Sequence, residues 1–582
     1  MYRFEQLTRL TTPAVLAAVA ASYPDRTFVI AEDGELTYGM MAVQAARLAG
    51  QFTALGLRPG ERVGILLPNG IRWCAAFFGA HAAGLDVVPL NTWYREDELL
   101  AVAERGRLRA IVTQEEIFGL ASGRYADAVG ERLGPRRYLG TFRWESGAPG
   151  PSGLPSGVGP AGDAAGTRGN GLAGGDGVAG GSGVVIGMGG AGAGGVAGAG
   201  GVAGAGGVDA PTSLDTLRCA PVAESDDALL IFTSGSSAEP KAVRLTQRGL
   251  IRTAHAVGER QGVRPSDRFW FASPLFFVFG CSNALPNALV HAATLCLQER
   301  FEARSALGFI ERHRCTVYYG VAPMTRALAA SPELGGFDIS SLRTGTANAT
   351  PEDLRLAIEV LGVSQVCNAY GMTEGHGHST ITAWDDPAEV RIGSQGRPLP
   401  TQQLRIVADG AVAGPGVAGD IQIRGEITPG YLDAPELTAG AFDDDGWFRT
   451  GDIGRLDADG RLHYLGRSHE MMKVKGINIA PAEVEALLVR HDLVDEAFVF
   501  GLATADGDQS VGCVLVSTVP ADAREALALD VRAWLAGRAA AYKTPTAIRV
   551  MTAAELPLTA TGKVSKRLLQ EAAQADGRMV RQ

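Results

Sequence analysis

Apolar residues recur along this chain in two rhythms. Between Leu36 and Asn91, stretches with helical spacing such as MAVQAARLAGQFTALG alternate with short β-rich runs, RVGILL and DVVPLN. That alternation predicts βαβ units and a layered α/β domain. Ala228 to Phe232, ALLIF, is short and apolar enough for a buried strand. Later runs such as GDIQIRG and HYLGR predict short strands of a barrel-like β subdomain, and AFVFGL and GCVLVSTV predict strands of a small C-terminal α/β domain. Near the start, the alanine-rich Pro13 to Ala21 reads as an amphipathic surface helix. From Gly147 to Val208 both rhythms vanish into Gly, Ala and Val. Such a segment buries too little side chain to offset about 1 kcal/mol or more of backbone entropy per residue, so a disordered insertion is expected. Gly190, Gly192 and Gly195 spell GxGxxG inside it, but no strand precedes and no helix follows, so no dinucleotide site is read there.

Composition narrows the picture. A chain of 582 residues exceeds one hydrophobic core, which predicts about three to four domain-sized units. The net charge of −10 and the lack of a basic stripe argue against nucleic acid as the main partner. Seven scattered cysteines with no CxxC pair read as reduced thiols, hence a cytoplasmic protein. Neither a signal peptide nor a transmembrane run is legible.

The chemistry begins at Phe232 to Lys241, FTSGSSAEPK. A strand runs into a loop of small residues whose hydroxyls and backbone N–H groups can hold phosphate, with Lys241 as a point charge. The Walker spacing is absent. This loop resembles the phosphate-binding signature of the AMP-forming acyl-CoA synthetases, members of the adenylate-forming superfamily that includes luciferases and adenylation domains. Further matching motifs follow in order: NAYGMTE (Asn368 to Glu374), WFRTGD (Trp447 to Asp452), GRSHEMMKVKGINIAPAEVE (Gly466 to Glu485) and PLTATGKVSK (Pro557 to Lys566). With LPNG and VVPLN the resemblance covers nearly the whole chain outside the insertion.

The resemblance implies an AMP-binding N-terminal domain over 1–466, interrupted by the insertion 147–208, and a small mobile C-terminal domain over 467–582. It implies adenylation of a carboxylate by ATP, then displacement of AMP by the thiol of coenzyme A. Lys563 matches the catalytic lysine; Thr373 supplies a hydroxyl to a phosphate oxygen, and Glu374 is the implied magnesium ligand. Thr233, Ser234, Gly235, Ser236, Ser237 and Lys241 surround the phosphates. Gly345, Thr346, Ala347, Asn368, Ala369, Tyr370, Gly371 and Met372 surround the nucleoside, with Tyr370 stacking on adenine. Asp452 and Arg467 hold the ribose or phosphate. Lys475, Gly476 and Asn478 guide pantetheine. Phe276, Phe277, Gly345, Gly371 and His376 are the acyl-pocket candidates and suggest an apolar or cyclic acid. His376 and His378 do not complete a metal coordination set.

The chain departs from the family pattern at Ala238 and Ala242 in the phosphate loop, at Phe277 where a histidine is common, at Thr346 after Gly345, and at the hinge residue His469. A ligase with drifted loops is the favoured reading. Two others stay open: a variant that only converts a supplied adenylate, working with a partner adenylating enzyme, and an enzyme that loads a separate carrier protein. A homodimer is also open.

Overall fold

The computed structural model describes residues 2–144, 183–186, 220–233, 241–348, 350–468, 472–474, 477–479, 481–504, 509–536, 538–539, 543–558, 564–575 and 579–581. The chain divides into two compact units, one of Met1–Gln403 with Arg424–Gly440, the other of Leu404–Ile423 with Ala441–Gln582.

The first unit is built on two seven-stranded sheets of the same plan. In each, six strands form a parallel core and an antiparallel edge strand closes one side. One sheet runs Gln365–Cys367, Thr344–Asn348, Val317–Val321, Arg268–Phe271, Thr294–Leu297, Thr27–Ala31 and Gly34–Thr37. The other runs Gly183–Ile186, Gly140–Trp144, Leu108–Gln114, Arg62–Leu66, Asp86–Pro89, Asp227–Thr233 and Lys241–Thr246. Parallel strands are covered on both faces, which is why VVPL and the LCL of Thr294–Leu297 are apolar at consecutive positions and buried.

Two helices between the strands start at a side-chain cap that the sequence offers. Thr37 accepts from the Met40 amide ahead of Tyr38–Ala54, and Thr246 accepts from the Gly249 amide ahead of Gln247–Gln261. Gly262, in the left-handed region at φ 61°, ends the second of these helices. The helix expected near the N-terminus spans Thr12–Ser22, but it is a core helix: Val15, Leu16, Val19 and Ala20 are fully buried. Its short alanines carry no polar face, so packing rather than amphipathicity places it. Of the insertion 147–208, residues 183–186 pair with Gly140–Trp144 as an edge strand; the remainder lies outside the described residues.

The second unit holds a five-stranded antiparallel sheet ordered Ala411–Val412, Gln402–Ala408, Gly419–Gly425, Phe448–Leu456, Leu462–Arg467. This sheet is open, with two edges, and does not close into the barrel that its short strands suggested. The C-terminal residues form a four-stranded sheet of Glu496–Ala503, Gln509–Val516, Ala547–Met551 and Val580–Arg581. Val499, Cys513 and Leu515 of that sheet pack with Leu527, Val531 and Leu535 of the helix Arg524–Ala536.

Candidate active site

Three chain segments far apart in sequence are knitted together in the first unit. The strand Lys241–Thr246 pairs with Asp227–Thr233 through Thr233 opposite Lys241, so the connection 234–240 leaves and returns at one sheet end. Residues 428–432 run beside that strand: the Leu432 amide donates to the Ala242 carbonyl at 2.9 Å and the Thr428 hydroxyl to the Arg244 carbonyl at 2.7 Å. The short turn Thr373–Gly375 joins them where the Thr428 amide donates to the Glu374 carbonyl at 2.6 Å.

The result at side-chain level is a relay. Tyr431 donates its hydroxyl to Glu374 Oε1 at 2.9 Å, and the Lys241 ammonium sits 5.5 Å above the Tyr431 ring centre, within cation–π range. Burial first, and then the Glu374 carboxylate, push the Tyr431 phenol far above its ordinary range, so it stays a donor throughout the working pH range. Tyr431 was not among the residues read from sequence. Its signal was the Gly430-Tyr431 pair with Thr438 seven residues on: the Thr438 hydroxyl accepts from the Tyr431 amide at 3.0 Å, and a Cβ on Gly430, at φ 135°, would strike the Thr438 methyl at 2.5 Å. A cavity of about 460 Å³ adjoins this cluster, lined by Phe232, Lys241, Ala242, Tyr431, Arg105 and Arg107 among others. Ala242 packs its methyl against the apolar cluster that contains Leu230, with Phe232 and Leu432 as neighbours, so the added β-carbon has a place in the fold.

Ser234, Gly235, Ser236, Ser237 and Ala238 lie outside the described residues, as do His469, Lys475, Gly476 and Lys563. Asn478 belongs to the short strand Ile477–Ile479.

The nucleoside candidates split by what their side chains do. Gly345, at φ 131°, lies so close under the neighbouring strand that a Cβ would meet the Tyr318 carbonyl oxygen at 2.0 Å. Ala347 is buried in the apolar core with Trp270 and Tyr318. Thr346 is fully buried with no hydrogen-bond partner at its hydroxyl. Asn368 donates its side-chain amide to the Ser394 carbonyl at 2.9 Å, which braces the start of NAYGMTE. Ala369 and Tyr370 form a short strand paired with Ile381 and Thr380; Tyr370 is buried and Met372 half-buried. Gly371 is glycine because a Cβ would meet the Gly377 carbonyl at 2.0 Å.

NAYGMTE and the phenylalanine segment meet directly. Gly377 lies over Val278 and Asn283, and the Ser282 hydroxyl donates to the His376 carbonyl at 3.1 Å. The two histidines that flank Gly377 diverge. His378 pairs with the Asn283 side-chain amide and stands 6.4 Å from the Phe279 ring. His376 packs instead on Gly249, where a Cβ would fall 2.3 Å from its Nε2. Burial pulls both imidazoles down to about 4, so both are neutral. Phe276 and Phe277 stack at a tilt 4.5 Å apart, and Trp93 meets them edge-on at 5.6 and 6.2 Å. Trp93 is 42% exposed. It follows VVPLN by two residues, and only tertiary proximity gives it this company.

In the second unit, Asp452 and Arg467 are register partners on adjacent strands, with Arg467 Nε 3.0 Å from Asp452 Oδ1. Asp452 is buried while the arginine side chain is 43% exposed. Gly451, at φ 73°, lets the strand kink so that the Asp452 amide donates to the Thr450 hydroxyl at 3.1 Å.

Two family models match the chain. The model described as "AMP-binding enzyme" matches residues 16–432, and that for the "AMP-binding enzyme C-terminal domain" matches 483–563. A 3-[(3aS,4S,7aS)-7a-methyl-1,5-dioxo-octahydro-1H-inden-4-yl]propanoyl:CoA ligase of Mycobacterium tuberculosis is 32% identical over 96% of this chain and 98% of its own. A sulfoacetate–CoA ligase of Cupriavidus necator is 30% identical, covering 96% of each chain. A feruloyl-CoA synthase of an Amycolatopsis species is 30% identical over 91% and 92%. Among solved structures, the anthranilate CoA ligase AuaEII in complex with anthranoyl-AMP has the same fold, with a TM-score of 0.77 at 23% identity over 98% of this chain and 99% of that one. No helix among the described residues is long and apolar enough to cross a membrane. The ordered motifs, the matched models and relatives similar from end to end lead to one assignment: the chain belongs to the AMP-binding enzyme family and is an AMP-forming acyl-CoA synthetase of the adenylate-forming superfamily.

Proposed function

We propose that this ligase activates a carboxylic acid with an apolar, ring-bearing acyl group and passes it to coenzyme A. The observation that carries the acyl class is the aromatic cluster of Trp93, Phe276 and Phe277, beside the point where NAYGMTE crosses the Val278–Asn283 segment. Aromatic faces stack on rings and bury apolar carbon; they offer an anionic acyl group no compensating charge. The dioxo-indenyl propanoate and feruloyl relatives act on ring-bearing acids by name, which supports the same reading.

A carboxylate resists attack because its charge and resonance oppose it, and adenylation supplies AMP as a leaving group. In this reading Lys241 and the loop 234–240 hold the phosphates, with Thr373 donating its hydroxyl to a phosphate oxygen. Glu374 suits magnesium: it is a half-buried hard carboxylate with Oε1 engaged by Tyr431. Bound there, the ion would neutralise phosphate charge. Asp452 accepts the ribose hydroxyls, and Arg467 keeps its carboxylate oriented. Lys563 clamps the acyl carboxylate to the α-phosphate, and Lys475, Gly476 and Asn478 guide pantetheine once the chain has turned at 466–469.

A panel of acids assayed by ATP–pyrophosphate exchange and by CoA thioester formation tests this. Ring-bearing acids should give the highest kcat/KM, and a preference for sulfoacetate would overturn the acyl class. Thioester formed only from supplied acyl-adenylate would point to the non-adenylating variant, and transfer to a holo-carrier but not to CoA would point to carrier loading. Lys563→Ala should cut exchange by about 10² to 10³ while thioester formation from preformed adenylate survives. Equal loss of both half-reactions would refute the assigned role.

A further inference from the structure

A second constellation sits on the helix that leads away from the phosphate-loop hairpin. On Gln247–Gln261, His255 and Glu259 stand four residues apart and so share a face. His291, at the end of Leu285–Val290, faces them. The ligand atoms of these three residues lie within 4.8 Å of one another, the one such grouping among the described residues. Glu259 Oε1 is 3.5 Å from His291 Nε2 and 4.0 Å from His255 Nε2.

The hydrogen bonding shows why this is more than a surface cluster. His291 Nδ1 lies 3.0 Å from the Asn287 carbonyl, which can only accept, so that nitrogen carries the hydrogen. The other ring nitrogen, Nε2, faces the Glu259 carboxylate. His291 Nε2 is buried with no hydrogen-bond partner, and its side chain is only 7% exposed. Imidazole nitrogen and carboxylate thus face each other across a gap too long for a good hydrogen bond, and a bound cation would bridge them.

The fold also fixes the rings. Phe4 stacks on the His255 ring at 3.7 Å, and the His255 and His291 ring planes lie within 9° of each other with centres 5.3 Å apart. Gly258 is required for this closeness, since a Cβ there would fall 2.1 Å from His291 Cε1.

We propose that His255, Glu259 and His291 form a binding site for a divalent transition-metal ion of the zinc class. Two imidazoles and one carboxylate are the donors such an ion prefers, whereas magnesium and calcium favour all-oxygen shells. Ligands of a tetrahedral zinc ion lie about 3.3 Å apart, given metal–ligand distances of about 2.0 to 2.2 Å. The Glu259 carboxylate is 3.5 and 4.0 Å from the two ring nitrogens, close to that, and its 64% exposed side chain can move to close the gap. Solvent water supplies the fourth ligand on that open side. The hydrogen bond from His291 Nδ1 to the Asn287 carbonyl is the outer partner that metal-bound histidines use. The bound ion ties the Phe4–Gln6 turn and Leu285–Val290 to the helix that follows Lys241–Thr246.

The test is a titration of the untagged, EDTA-treated full chain with Co²⁺ as a spectroscopic probe, followed by displacement with Zn²⁺. Uptake of one equivalent with visible bands of imidazole coordination is expected, unchanged in Glu374→Gln and weakened about tenfold or more in Glu259→Gln and in His255→Gln. Zinc should raise the melting temperature of the parent chain but not of Glu259→Gln. Because Glu259 is exposed, that variant should melt like the metal-free parent, and it decides the matter alone if His255→Gln fails to fold. Absence of stoichiometric uptake, or uptake that Glu259→Gln leaves unchanged, overturns the site.

Discussion

Tyr431 shows how much one side chain can add to a site that motifs only outline. Its hydroxyl holds the Glu374 carboxylate while its ring receives the Lys241 charge, so it links the strand Lys241–Thr246 to NAYGMTE. Tyr431→Phe keeps the ring and removes only the donor. ATP–pyrophosphate exchange should fall about tenfold, equivalent to ~1.4 kcal/mol, the scale of one hydrogen bond to a charged group. Stability should change little, and unaltered exchange would show that Glu374 is held by other means. Several residues named from motifs make close backbone or packing contacts. Gly345 and Gly371 make room for a neighbouring carbonyl, Ala347 fills core, and Asn368 braces Ser394. A motif marks that a position matters; whether it touches ligand or shapes the wall depends on where its neighbours stand.

Between elements, the strands of the Arg268–Phe271 sheet are aligned at their starts by one carboxylate. Asp267 Oδ1 accepts from the Thr316 hydroxyl at 2.8 Å and Oδ2 from the Arg264 amide at 2.6 Å, and both oxygens meet the Arg343 guanidinium. Thr316 and Arg343 each immediately precede one of the adjacent parallel strands or its first residue pair. The Asp267 side chain is 4% exposed. Asp267→Ala should therefore destabilise by about 3 kcal/mol, the usual result of stranding the partner of a buried pair, measured by urea denaturation. A loss below about 1 kcal/mol would mean that water replaces the carboxylate. The βαβ rhythm was legible in sequence because parallel strands between two layers must be apolar at consecutive positions. That the five-stranded sheet stays open was not, because strand length and composition say nothing about whether edge strands meet.

For the molecule as a whole, acid should be destabilising. His81, His376 and His378 are fully buried, and burial pulls each imidazole down to about 4. Between the unfolded value near 6.5 and about 4, the unfolded chain binds protons that the folded chain refuses. Their contribution is complete above pH ~6.5 and is lost as pH falls through that window. Asp86 opposes them. Burial, then Asp227, raise its carboxyl to about 7, so its contribution is present in acid and lost as pH rises from about 4 to 7. Three groups against one favour a lower urea midpoint at about pH 5 than at about pH 7.5; equal midpoints would contradict the sum. Deleting 151–205 should leave activity within about twofold, while uncovering the Gly140–Trp144 edge that residues 183–186 pair with. Increased aggregation, read by light scattering, is the expected cost, and loss of activity would give the insertion a direct role. By itself the sequence determined the family, the reaction and the order of the motifs, because short segments such as FTSGSSAEPK and NAYGMTE carry the family resemblance in local spacing. Only the tertiary structure decided that Tyr431 meets Glu374, that Trp93 joins Phe276, that His376 and His378 part company, and that His255, Glu259 and His291 converge. Each of these is a contact between segments distant in the chain, and no local pattern encodes where a distant side chain will arrive.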